Sequence, residues 1–191
     1  YYQIFRDRLC EILDQYDIHT LCDAGCGEGY YTNAFMKEGR QVYGFDLSKF
    51  GVDYAARAKK GVFYGVASVF RLPLENQCMD AVLSIFAPFD EAEMARVLKD
   101  QGLFIKVSPA KMHLMGMKKV LYEEVYENEA PSQEMEHFTL KEEIIVEDVI
   151  DLDCQEDIWN LFTMTPYYHK TPYQGKEALK AYQNLRTEIG F

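Results

Sequence analysis

The feature that most constrains this 191-residue chain is the heptapeptide D-A-G-C-G-E-G at 23–29. It follows the β-rich run 20–23 and precedes a segment, 30–37, of helical composition. Gly25, Gly27 and Gly29 carry no Cβ, so the backbone can turn tightly there and lie close to a ligand. The spacing is G-x-G-x-G, not the G-x-G-x-x-G that seats a pyrophosphate on a helix N-terminus. Asp23 ahead of the glycines is a poor neighbour for a phosphate and a good one for a cofactor with an ammonium and a sulfonium. Asp46 closes the next strand-like run (Q-V-Y-G-F-D, 41–46), with Leu47 after it, and a carboxylate there can accept from two ribose hydroxyls. Ala67 and Ser68, after a third such run (61–66), can frame an adenine through backbone groups. A glycine turn with two solvated aspartates has the same composition. The strand, loop, helix and second-strand acid together favour the cofactor site.

The remaining elements alternate. Helical patterns at 50–59, 91–99 and 113–127 interleave with strand patterns at 79–86 and 102–107. The near-continuous apolar run M-D-A-V-L-S-I-F (79–86) is the pattern of a strand buried on both faces. Further on, 143–152 reads as strand, 155–164 and 175–186 as helices, and 187–191 as strand. This βαβα order predicts an α/β, Rossmann-like fold, a mostly parallel sheet with helices on both faces. Ligands in such sheets bind beyond the carboxyl ends of the strands. The polar stretch 128–136 is expected to be a mobile loop.

A length of 191 residues suits one domain, read here as 1–191. Tyr1 is not a methionine, and Ile4, Phe5, Leu9, Ile12, Leu13 and Tyr16 start the chain inside an amphipathic helix, so truncation at both ends is expected. No apolar run approaches the roughly 18 residues of a membrane helix, and no signal-peptide pattern opens the chain. The five cysteines are odd in number and form no C-x-x-C pair, which indicates neither a disulfide framework nor a metal site and suits a reducing, cytoplasmic setting. Twenty basic against thirty-one acidic residues leave a net charge of −11. Such a surface repels nucleic acid unless basic groups are segregated on one face.

Several blocks together are more specific than the glycine loop. D-A-G-C-G-E-G-Y-Y-T (23–32), F-D-L-S-K (45–49), V-A-S-V-F-R-L-P-L (66–74), M-D-A-V-L-S-I-F-A-P-F (79–89), H-L-M-G-M-K (113–118) and M-T-P-Y (164–167) resemble the RlmA family. These are 23S rRNA (guanine-N1)-methyltransferases, among them enzymes of macrolide resistance. The resemblance runs over nearly the whole chain. It implies a class I fold that binds S-adenosylmethionine and releases S-adenosylhomocysteine, with Tyr2, Gly27, Glu28 and His113 contacting the cofactor. It implies a ribosomal RNA hairpin as partner, and it admits a homodimer of the full-length protein. The family carries an N-terminal zinc-binding module that has no counterpart in these residues, and its last strand runs past the equivalent of Phe191. This piece alone is therefore expected to bind RNA weakly.

Guanine N1 carries a proton near neutrality, so its attack on a methyl group needs that proton removed or the O6 anion stabilised. Aligning nitrogen, methyl and sulfur is the larger contribution. The segment Phe86-Ala87-Pro88-Phe89 ends the fourth strand run (79–86) and follows it, where amino-methyltransferases hold the acceptor base. Its carbonyls can accept from guanine and its rings can stack on it, or both phenylalanines can be core. Asp90 is an alternative base, or a helix cap. His113 reads as a cofactor-carboxylate contact, as a general base, or as an ordinary histidine at a helix start. Tyr167, Tyr168, His169 and Lys170, between two prolines, have the aromatic-plus-cation make-up that grips an extruded RNA base, or they form a lid or a rigid surface loop. Lys111, Lys118 and Lys119 form either a basic rim or a solvated face, and Met112, Met115 and Met117 read as packing. Two other functions suit the same residues: methylation of a small molecule, which fits the acidity, and a non-catalytic cofactor-binding fragment.

Overall fold

The structure is a computed structural model that describes residues 2–129 and 134–191. They form two compact units, 2–108 with 134–142 and 109–129 with 143–191. In the first unit, α1 (Gln3–Asp14) leads into β1 (Thr20–Ala24), and the glycine loop follows. β2 (Gln41–Asp46), α2 (Lys49–Ala58), β3 (Val62–Val66), β4 (Met79–Ile85), α3 (Glu91–Val97) and β5 (Leu98–Val107) complete it. Among the described residues the strands make a five-stranded parallel sheet ordered β3-β2-β1-β4-β5. β1 lies at its centre, and the chain reverses direction of progress there, which opens a crevice at its carboxyl end.

Strand alternation sorts the side chains onto two faces. On one, Leu21, Val42, Ala81, Leu83 and Ile85 meet Leu9 and Leu13 of α1 together with Phe35. On the other, Cys22, Ala24, Phe45 and Val82 meet Met94 and Val97 of α3. β4 is buried at almost every position, as its apolar run requires. The buried guanidinium of Arg40 donates to the carbonyls of Leu13, Ile18 and Phe35, tying the end of α1 to the segment after the glycine loop.

That segment departs from expectation. Instead of a helix over 30–37 there is one 3-10 turn, Thr32–Phe35. Tyr30, Tyr31 and Thr32 lose side-chain freedom in a helix. The Thr32 hydroxyl is also committed to Asp23, 2.6 Å away.

The second unit pairs β6 (Glu147–Leu152) with β7 (Leu185–Gly190) in antiparallel register and carries α4 (Met115–Leu121), α5 (Gln155–Thr163), α6 (Tyr167–Lys170) and α7 (Tyr173–Lys180). The helix expected over 113–127 stops at Leu121, because the chain folds back. Lys118 Nζ donates to the Tyr126 carbonyl and to Asn128 Oδ1, and the Asn128 N–H donates to the Lys111 carbonyl. The last helix ends at Lys180 rather than 186, leaving Leu185 to start β7. Residues 130–133 of the expected loop lie outside the described residues.

α4 sits directly on β7. Leu114 N–H donates to the Glu188 carbonyl and Gly116 N–H to Glu188 Oε2. A Cβ on Gly116 would stand 2.2 Å from the Arg186 carbonyl oxygen. Gly116→Ala is therefore expected to force α4 off the strand and lower stability by about 2 kcal/mol, read as a lower midpoint in urea with unchanged slope.

Candidate active site

The glycine loop hangs on the end of β2. The N–H groups of Gly25 and Cys26 both donate to the Phe45 carbonyl, at 2.8 and 3.1 Å. Gly25, Gly27 and Gly29 have φ of +92°, +53° and +76°, the left-handed region that side chains oppose. The space beside each differs. A Cβ on Gly25 would lie 2.4 Å from Ala87 Cβ, and one on Gly29 would strike the Tyr64 hydroxyl and Ala55. Beside Gly27 nothing stands within 4 Å. The loop thus packs tightly at both ends and is open in the middle, where a ligand can approach its backbone.

Asp46 links loop and strand. Its Oδ2 accepts from Gly27 N–H at 2.9 Å and its Oδ1 from Ser48 N–H at 2.8 Å. A carboxylate offers about four acceptor positions, so capacity remains for a diol. The Ala67 N–H donates to the Asp46 carbonyl, and Ser68 Oγ accepts from Phe70 N–H in a tight turn. Leu47 and Glu28 are exposed.

Asp23 is the electrostatic centre. It is 2% exposed, Thr32 Oγ1 donates to its Oδ2, and its buried Oδ1 has no hydrogen-bond partner among the described residues. Burial pushes its carboxyl up to about 6; the Thr32 bond pulls down and Asp46 adds repulsion. A buried, half-satisfied carboxylate costs free energy that a cationic ligand would recover. Tyr31 beside it is half-buried, and that desolvation raises its hydroxyl's pKa with help from Tyr2 and Tyr30.

At the end of β4 the two phenylalanines part. Phe89 is half-buried, packing on Phe104 at 5.1 Å against the core with Lys106 over its face. Phe86 is 42% exposed with φ +54°, a conformation bulky residues avoid. It is held there by its N–H bond to the Val107 carbonyl and by the Ser84 Oγ bond to the Ala87 carbonyl. Pro88 is exposed. Asp90 caps α3, its Oδ1 accepting from Glu93 N–H at 2.8 Å, the cap that its place before a helix allowed.

A methyltransferase domain model matches residues 22–106, the loop and sheet just described. The chain is 33% identical to "Putative 23S rRNA (guanine-N(1)-)-methyltransferase YxjB" of Bacillus subtilis (strain 168), over 94% of this chain and 68% of that protein. The chain belongs to the RlmA-type (guanine-N1)-methyltransferase family. A second relative, the "23S rRNA (guanine(748)-N(1))-methyltransferase" of Streptomyces fradiae, is 34% identical over 52% of this chain and 36% of its own length. The fold is that of the YcgJ protein of Bacillus subtilis, which superimposes with a TM-score of 0.58 over 97% of this chain and 95% of that one at 16% identity.

As an RlmA-type chain it is an S-adenosylmethionine-dependent methyltransferase, and the site fits that cofactor. The orphaned Asp23 Oδ1 suits an ammonium, the open face of Gly27 suits close backbone approach, and Asp46 suits a ribose. The bound group supplies an electrophilic methyl on a cationic sulfur; this chain's residues bind and orient it.

The second unit holds the other candidates of this family member. His113 is 7% exposed and its Nδ1 accepts from Gly190 N–H at 3.1 Å. Burial, with Lys118 nearby, lowers its pKa to about 4. With Nδ1 taken by the Gly190 N–H, the neutral imidazole carries its proton on Nε2 and is a donor there. Tyr168 packs with Trp159, Phe162 and Lys176, while His169 and Lys170 are exposed. The basic rim is corrected: Lys118 is buried and Lys111 is paired with Glu127 at 2.8 Å, leaving Lys119 exposed. Met115 and Met117 are buried as packing residues; Met112 is 37% exposed. Sequence reasoning missed Thr32, Tyr31 and Tyr64, whose hydroxyl donates to Asn33 at 2.7 Å. No local pattern marks them, since each acts through a neighbour from another strand or turn.

The Asp23 carboxyl has a raised pKa in the fold, so between about pH 4 and 6 the folded state holds a proton that the unfolded state has lost, and stability falls with rising pH. Asp23→Asn removes that penalty. The variant is expected to gain on the wild type as pH rises through this window, by about 1–3 kcal/mol above pH 6. Its affinity for S-adenosylmethionine is expected to drop at least about tenfold. Parallel melts at pH 4 and 8, with calorimetric titration, check both arms.

Proposed function

We propose that this RlmA-type chain methylates N1 of a guanine in 23S ribosomal RNA, and that Phe86 at the end of β4 receives the base. The observation that carries this reading is the coupling of Phe86 to the cofactor loop. An exposed aromatic ring is held in a left-handed conformation one residue from Ala87, whose Cβ fills the space beside Gly25. The printed names of the Bacillus and Streptomyces relatives support the acceptor, and the match over 94% of the chain supports carrying it across.

A rigid Phe86 ring stacks on the base and fixes its plane, so that N1 points along the line to the methyl. Backbone carbonyls after β4 accept from the guanine edge. Asp90 is committed to its helix, so alignment contributes more than base catalysis. In the second unit, Tyr167, His169 and Lys170 on the proline-bracketed α6 supply further RNA contacts in this reading. The net charge of −11 makes them local attractions on a repelling surface, so RNA affinity of the isolated chain is expected to be weak and salt-sensitive.

Labelled S-adenosylmethionine is incubated with 23S rRNA hairpins, and the product nucleosides are resolved. 1-Methylguanosine is the expected product. Label in no RNA, but in a small acceptor, would replace this reading with small-molecule methylation. Phe86→Ala is expected to lower kcat/KM for RNA by about 10- to 100-fold, from about 1–3 kcal/mol of lost stacking, with cofactor affinity unchanged.

A further inference from the structure

Lys118 is 6% exposed, yet among the described residues it forms no ion pair. Its ammonium donates to Asn128 Oδ1 at 2.6 Å and to the Tyr126 carbonyl at 3.3 Å, and it lies 5.6 Å from the centre of the Tyr167 ring. Three donors thus meet two oxygens and one π face. Burial lowers its pKa, the sign of a charge held out of water. Methionine would fill this place without that cost, and Met115 and Met117 on the same helix are buried as ordinary packing.

The cation organises what surrounds it. Asn128, which takes the shortest bond, also donates through Nδ2 to the Ala110 carbonyl, so Lys118 fixes the returning segment 122–128. On the other side Tyr167 is half-buried between Lys118 and Tyr122, whose ring stands edge-on at 6.3 Å. The Tyr122 hydroxyl shares a 2.9 Å hydrogen bond with Thr171, and Thr171 N–H donates to the Tyr167 carbonyl. α6 is therefore gripped at both ends. Adjacent tyrosines splay into different surroundings, Tyr167 onto Lys118 and Tyr168 onto Trp159 and Lys176.

We propose that Lys118 is a positioning residue for the acceptor RNA: its ammonium, held by Asn128 and the Tyr126 carbonyl, fixes the Tyr167 ring and with it the α6 turn that presents His169 and Lys170. This rests on the reading of α6 as an RNA contact. Lys118 itself does not touch the acceptor.

The test measures methyl transfer to 23S rRNA hairpins by the full-length protein for Lys118→Met, Lys118→Arg, Tyr167→Ala and the Met–Ala double variant, with S-adenosylmethionine affinity measured for each. Lys118→Met is expected to raise the RNA KM about tenfold with kcat and cofactor affinity close to wild type. Lys118→Arg restores most of the loss, and the double variant is no worse than Tyr167→Ala alone, because both remove one interaction. An unchanged KM in Lys118→Met beside a raised KM in Tyr167→Ala would overturn the proposal while leaving the α6 reading intact. An unchanged KM in Tyr167→Ala removes the α6 reading and the proposal with it. Additive losses would show that Lys118 does not act through Tyr167. Should Lys118→Met fail to fold, Asn128→Ala keeps the ammonium and removes its nearest oxygen; a KM rise of about threefold supports the proposal and none overturns it.

Discussion

The carboxylate of Asp23 sits at the centre of the sheet's carboxyl edge with one oxygen bound by Thr32 and the other without a partner among the described residues. Its burial follows from where β1 lies, between β2 and β4 with packed side chains on both faces. The Thr32 bond keeps the chain after the glycine loop close to the strand and helps prevent a regular helix there. The unpaired oxygen leaves a negative charge in a place of low polarity, which favours binding a cation and disfavours binding a phosphate. The choice between two glycine-loop chemistries is thus made by one acid and the space around it.

The loop's glycines serve different ends. Gly29 has its side closed by Tyr64 and Ala55, so it allows close packing. Gly27 has an open side and gives its N–H to Asp46, so it offers backbone to a ligand while the second-strand acid holds the loop. Gly25 abuts Ala87, which connects the cofactor loop to the segment carrying Phe86. Any shift of the loop is felt at Ala87 because two close-packed backbones have no room to absorb it. The cofactor loop and the segment carrying Phe86 are in this sense packed against each other without slack.

The second unit solves a different problem. Short helices α4 and α6 have little stability of their own. α4 is held to β7 by bonds to Glu188 and Thr187, and α6 by the contacts of Tyr167 and Tyr168. His113 is fixed by the backbone of Gly190, seventy-seven residues away. Buried polar side chains fix these elements, Lys118 against two oxygens and a ring face and His113 against a backbone N–H.

The sequence by itself determined the alternation of strands and helices, the glycine loop, the two acids and the family, because these rest on local periodicity and on residue types at fixed spacing. Strand alternation and positive-φ glycines are written into neighbouring residues. Which polar group is buried, and beside what, was decided only by the tertiary structure. Asp90 became a cap, Phe89 a half-buried residue packed against the core and Phe86 an exposed one, although the three are within five positions of each other. Lys118 reads in sequence as one of three surface lysines, and only the return of 122–128 and the approach of Tyr167 bury it. The physical reason is that desolvation and pairing energies depend on atoms brought from distant parts of the chain, which no local pattern encodes.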